Sequence, residues 1–198
     1  MARSPKKTGN AAPSAEQILD ATLAEAEAVG WDGVRLRRVA ETLGCPLAEL
    51  QSHYRDLDAV ADAWFNRAGQ AMVAPVDADF FDRPVAERLH ILIMRWFDTL
   101  APHRRVTAAM LRGKLYPGHP HHWAPMIFNL SRTIHWLRDA AGLDATGRRR
   151  QIEEFGLTGL FLATLAHWCR DRSDGQEETR RYLETKLDRS DRLLGRLF

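Results

Sequence analysis

Residues 34–60, VRLRRVAETLGCPLAELQSHYRDLDAV, decide the fold. A short helix over about 34–43 places Val34, Leu36, Val39, Ala40 and Leu43 at helical spacing. Gly44 follows where a helix end calls for a left-handed residue, and Pro46 stands where a new helix tolerates a missing N–H. A second short helix then runs from about Pro46 to His53. Two short helices joined by so sharp a turn are what a DNA reader uses to set its second helix in the major groove.

Upstream, Ser14 and Gln17 form a capping box, and Ile18, Leu19, Thr22, Leu23 and Ala26 recur at helical spacing up to Gly30. Trp31 seals the small core against this first helix. Because the apolar side of the 34–43 helix faces inward, Arg35, Arg37 and Arg38 point mostly outward, where they either meet phosphate or are simply solvated. The solvent side of the next helix carries Leu47, Ala48, Glu49, Gln51 and Ser52, with no cation. Gln51 and Ser52 can hydrogen-bond base edges, and His53 can bind a phosphate or cap the helix. Residues 1–13 read as a polar, basic arm whose Arg3, Lys6 and Lys7 either trail in solvent or add non-specific affinity for DNA.

This stretch resembles the N-terminal domain of the TetR family of bacterial transcriptional regulators, through the apolar frame VAETLGC at 39–45 followed by LxxHY at 50–54. His53 and Tyr54 match the family's usual His-Phe pair. The resemblance implies a DNA face built from Arg35, Arg37, Arg38, Gln51, Ser52, His53 and Tyr54. The family usually has a tyrosine at position 51 and a lysine at position 57, both holding the DNA backbone; here they are Gln51 and Leu57. Arg37 and Arg38 are therefore expected to supply the phosphate contacts that Leu57 cannot.

Composition bounds the class. A chain of 198 residues with 45% hydrophobic and 27% charged residues suits one or two globular domains and excludes global disorder. The net charge of +2 does not by itself indicate nucleic acid. Up to residue 75 there are eight Lys and Arg against ten Asp and Glu, so any phosphate affinity has to come from clustering. Cys45 and Cys169 without a secretory signal predict no disulfide and a reduced, cytoplasmic setting. The longest apolar run, Leu157 to Trp168, is far short of the ~20 residues that span a bilayer. A Gly-rich phosphate loop, Cys/His metal spacing and a nucleophile with a partner are all missing, so neither an enzyme nor a cofactor is expected.

The rest of the chain is helical by period. A helix over 57–73 links the reading head to the C-terminal half, and the segment APVDADFFDRP at 74–84 predicts a boundary between a 14–74 domain and an 84–198 domain. Helices are then expected over 85–100, from Pro102 to about Gly113, and over 125–141, 148–170 and 177–198. His119, His121 and His122, in a Pro/Gly loop, lack ligand spacing and are not expected to hold a metal. Gly156, Gly159, Ala163 and Ala166 leave a shallow groove that either admits a partner helix or makes room for a ligand. Trp96, Phe97, Met110, Met126, Trp136, Phe161 and Trp168 are the candidate walls of an apolar ligand site, or simply core.

The segments LAPHRRVTAAML at 100–111, LSRTIHWLRDAAG at 130–142 and LFLATLAHWCRDRSDGQEETRRYLETKL at 160–187 carry a second resemblance. They look like the C-terminal domain of the TetR-fold lipid-binding accessory proteins of ubiquinone biosynthesis. That likeness implies an isoprenoid lipid in the C-terminal domain, a vestigial helix-turn-helix, and peripheral membrane contact through the last amphipathic helix. The leading expectation is an all-α, homodimeric TetR-like regulator, with an N-terminal three-helix helix-turn-helix domain and a C-terminal helical bundle that responds to an apolar small molecule. The lipid-binding accessory protein is the alternative.

Overall fold

The computed structural model describes the backbone of residues 12–114 and 123–194, and the side chains of 12–114 and 129–189. Among these residues there is no strand. The α-helices are α1 (Ala15–Val29), α2 (Leu36–Leu43), α3 (Leu47–His53), α4 (Leu57–Met72), α5 (Val85–Leu100), α6 (Arg104–Lys114), α7 (Trp123–Ala140), α8 (Gly147–Trp168) and α9 (Glu177–Leu194). The chain divides into two compact units between Ala63 and Trp64, inside α4.

In the first unit, α1 opens on the expected capping box: the Ser14 N–H donates to Gln17 Oε1 at 2.9 Å and the Gln17 N–H to Ser14 Oγ at 3.2 Å. Its Ile18, Leu19, Leu23 and Ala26 are buried with Trp31, Val34, Val39, Ala40 and Leu50. A core this small is worth keeping dry, since each buried aliphatic side chain contributes about 1.5–3 kcal/mol. Gly44, at φ 65° and ψ 29°, ends α2 in the left-handed region. Its N–H donates to Glu41 O and the Cys45 N–H to Ala40 O, both at 3.1 Å, which closes a Schellman turn. Pro46, at φ −64° and ψ 147°, stands just before α3 as its N-cap, one position earlier than the sequence suggests. Asp56 Oδ1 accepts from the Ala59 N–H at 2.7 Å and so caps α4.

The second unit is built on aromatic side chains. Trp96, Phe97, Phe161 and Trp168 are all buried, with ring centroids 5.0–5.8 Å apart for Trp96–Phe161, Trp96–Phe97, Phe97–Trp168 and Phe97–Phe161. The second half of α4 belongs here: Trp64 Nε1–H donates to Thr107 Oγ1 at 2.9 Å, Phe65 stacks on Trp96, and Ala68 and Met72 are buried. That packing puts the compact division at residue 63, about ten residues before the Pro-rich 74–84 segment. A 3-10 turn at Ala101–His103 precedes α6, so Pro102 leads into the helix without starting it.

Two polar arrangements tie this unit together. Arg138 is buried and reaches Glu153 at 3.2 Å, Glu154 at 3.4 Å and the carbonyls of Leu143 and Ala145, each at 3.3 Å. At the α8–α9 turn, buried Asp171 accepts from the N–H and hydroxyl of both Ser173 and Thr179. Burial pushes its carboxyl up, but those four hydrogen bonds outweigh it and hold the carboxyl at about 2.

Candidate nucleic-acid interface

Leu50 is the one α3 residue fully buried, so the turn at Gly44 leaves Leu47, Ala48, Gln51, Ser52 and His53 exposed along the rest of the helix, with Glu49 half-buried. The Ser52 hydroxyl donates to Glu49 O at 2.7 Å and keeps its acceptor lone pairs. The side chain of Gln51 is exposed and carries both a donor and an acceptor.

The three arginines of the sequence reading separate into two kinds. Arg35 lies one residue before α2 and folds back, its Nη1 donating to Asp32 O at 2.9 Å and Val34 O at 2.8 Å, so it secures the entry to the helix. Arg37 pairs with Glu41 one turn on, and Arg38 reaches Glu25 at 3.5 Å. Both pairs are solvent-exposed on the arginine side, where an ion pair is worth only ~0.5 kcal/mol. A phosphate can replace the Glu41 carboxylate at little cost, whereas Glu25, 18% exposed, holds Arg38 from a more buried position.

Tyr54 leaves the expected DNA face. It is buried, and its hydroxyl donates to Ala15 O at 2.9 Å, so it fastens the end of α3 to the start of α1. Arg55 is the residue that sequence reasoning passed over. It is exposed immediately after α3, paired with Asp56 at 3.0 Å, beside the capped start of α4. The signal was present: it is the sole cation between α3 and the middle of α4.

The residues expected to wall a ligand site fare differently. Trp96, Phe97, Met110, Phe161 and Trp168 are buried, and the rings among them pack on one another. Trp136 is 58% exposed and is no wall: Ile134 and Leu137 carry the buried side of α7, and Trp136 falls between them on the other side. The side chain of Met126, the loop with His119, His121 and His122, the arm with Arg3, Lys6 and Lys7, and the side chains beyond residue 189 lie outside the described residues. No helix among the described residues is long and apolar enough to cross a membrane.

A second exposed face stands out on α8. Ile152 is 63% exposed, Phe155 84% and Leu162 44%, and they are interleaved with exposed Gly156, Gly159, Ala163 and Ala166. A Cβ built on Gly156 or Gly159 meets nothing within 4 Å. On α9, by contrast, Leu183 and Leu187 are buried within the unit, and Glu177, Glu178, Arg181, Glu184, Thr185, Asp188 and Arg189 are exposed.

A buried three-helix core that presents a short helix without lysine or arginine beyond a Gly-Cys-Pro turn defines a helix-turn-helix protein. No protein-family model and no curated protein matches the chain. Among solved structures, it is similar to a TetR transcriptional regulator from Nitrosomonas europaea, at 36% identity and a TM-score of 0.78, over 88% of this chain and 95% of that one. A TetR family regulator from Thermus thermophilus (17% identity, TM-score 0.56, 86% and 97% covered) and a tetR-family regulatory protein from Rhodococcus (19%, 0.51, 91% and 97%) share the fold. The chain belongs to the TetR family of transcriptional regulators. It is a TetR-like DNA-binding regulator.

Proposed function

We propose that the regulator reads DNA as a homodimer, with the exposed side of α3 in the major groove and Arg37, Arg38 and Arg55 on flanking phosphates. It acts by binding and not by catalysis. The observation that carries this reading is the set of uncharged exposed side chains on α3, bracketed by three exposed arginines, of which Arg37 and Arg55 hold ion pairs that are cheap to exchange.

The dimer reading rests on α8. Apolar side chains as exposed as Ile152, Phe155 and Leu162, spaced by glycine and alanine, suit a second copy of the same helix approaching closely. Because the exposed positions of α9 among the described residues are polar, α8 is the centre of this interface and α9 its rim. An effector that bound the second unit would then act by shifting the population of dimers whose two α3 helices match successive turns of the duplex. Trp96, Phe97, Phe161 and Trp168 pack on one another, so no effector is assigned to them. The lipid-carrier alternative has no observation of its own in its favour.

Retention of sheared genomic DNA on the purified protein at low salt tests the reading. Selective enrichment of a few fragments is expected, lost on Gln51→Ala combined with Arg38→Ala. Uniform recovery of all fragments would remove the regulator reading at these residues. Gly159→Arg, whose Cβ meets nothing within 4 Å, should convert dimer to monomer in light scattering. An unchanged dimer would place the interface elsewhere.

A further inference from the structure

The exposed chemistry of α3 narrows what it can read, and an inference about bases rests on the proposed groove contact. Each base pair shows a distinct pattern in the major groove, and side chains answer it in few ways. Arginine or lysine takes guanine O6 and N7; glutamine or asparagine takes adenine N6 and N7; an apolar side chain meets the thymine methyl. On α3 the exposed residues are Leu47, Ala48, Gln51, Ser52 and His53, and none is arginine or lysine. The commonest guanine contact therefore has no donor on this helix. Arg37 and Arg38 belong to α2, where they pair with Glu41 and Glu25, and Arg55 lies past the end of α3 beside Asp56.

Leu47 is the second observation. It is 48% exposed at the first position of α3, a large aliphatic side chain left in water on the side of the helix that also carries Gln51 and Ala48. On a surface meant only for solvent it is a small liability; against a thymine methyl it buries apolar area on both partners. The donor and acceptor of Gln51 together match the adenine of the neighbouring pair. Ser52, its hydroxyl already donated to Glu49 O, retains acceptor capacity and fits several bases.

We infer that each half-site of the operator is read through A·T pairs, with Gln51 on an adenine and Leu47 and Ala48 against thymine methyls. The bidentate arginine or lysine contact to guanine has no donor on α3, and the phosphate-binding arginines add affinity without sequence.

In vitro selection from a random duplex library, using the full-length protein at low salt, tests this. The expected motif has two half-sites with A·T pairs at their centres. Gln51→Arg should exchange one adenine for guanine per half-site, a switch of about tenfold or more in preference. Leu47→Ala should weaken the preference for one thymine by several-fold, and replacing that thymine with uracil in the wild-type site should do the same. Both residues are exposed, so circular dichroism of the variants should match the parent. A selected motif with G·C pairs at the half-site centres, or one indifferent to Gln51→Arg, would overturn the base assignment and leave DNA binding standing. No selected motif at all would remove the groove reading beneath it.

Discussion

The turn between α2 and α3 and the turn between α8 and α9 each contain left-handed residues, yet they are held by different means. At the first, Gly44 at φ 65° needs no side chain to support it, and two backbone hydrogen bonds within six residues close the turn. At the second, Gly175 at φ 59° is followed by Gln176 at φ 61°, a conformation that costs a residue with a Cβ roughly 1 kcal/mol or more. Gln176 is kept there by its own buried amide, which donates to Asp98 Oδ1 at 2.7 Å and accepts from Trp168 Nε1. The α2–α3 turn thus leaves the outward side chains of α3 uncommitted. The α8–α9 turn uses its side chains to join three helices.

The largest effect expected from this contrast is at Gln176. Gln176→Ala keeps the left-handed strain and orphans the buried Trp168 N–H, so urea denaturation should show a loss of about 3 kcal/mol. Gln176→Gly, relieved of the strain, should lose measurably less. Equal losses would mean that the backbone conformation stores nothing.

Asp171 comes next. Its carboxyl is lowered in the folded protein from an ordinary 3.8 to about 2, so its contribution is complete above pH ~4 and is lost as pH falls through 2. The gap in stability between the parent and Asp171→Asn should be about 2 kcal/mol at pH 6 and close to zero at pH 2. A gap that does not change with pH would show that hydrogen bonding to the ionised form is not what holds the turn.

The smallest effect belongs to the backbone-held turn. A Cβ on Gly44 meets nothing within 4 Å, so Gly44→Ala adds only the left-handed penalty, about 1 kcal/mol, again by urea denaturation. A loss as large as that at Gln176 would break the contrast.

The same difference decides what the sequence could tell. The helix-turn-helix was legible because its signals are local: Ser14 with Gln17, Gly44 with Pro46, and apolar residues one turn apart. What lay across long separations was not. Tyr54 read as part of a DNA-facing pair, but its hydroxyl finds Ala15, 39 residues away. Arg138 stands at core register between Ile134 and Ala141, and a buried arginine makes sense only once Glu153 and Glu154 arrive from the next helix. Spacing alone places Trp136 outside the Ile134–Leu137–Ala141 stripe. Arg55 was missed because it stands alone, well outside the arginine cluster at 35–38.

Readout by α3 with Arg37, Arg38 and Arg55 on the backbone fixes the salt dependence of binding to a selected duplex. Three arginines per protomer in a dimer make about six phosphate contacts, so the logarithm of affinity should fall with the logarithm of salt at a slope of roughly −5. Arg55→Ala should bring the slope toward about −4 while leaving the selected sequence unchanged. A slope unaffected by that substitution would take Arg55 off the backbone, and binding that does not distinguish the selected duplex from random DNA at any salt would rule out readout by α3.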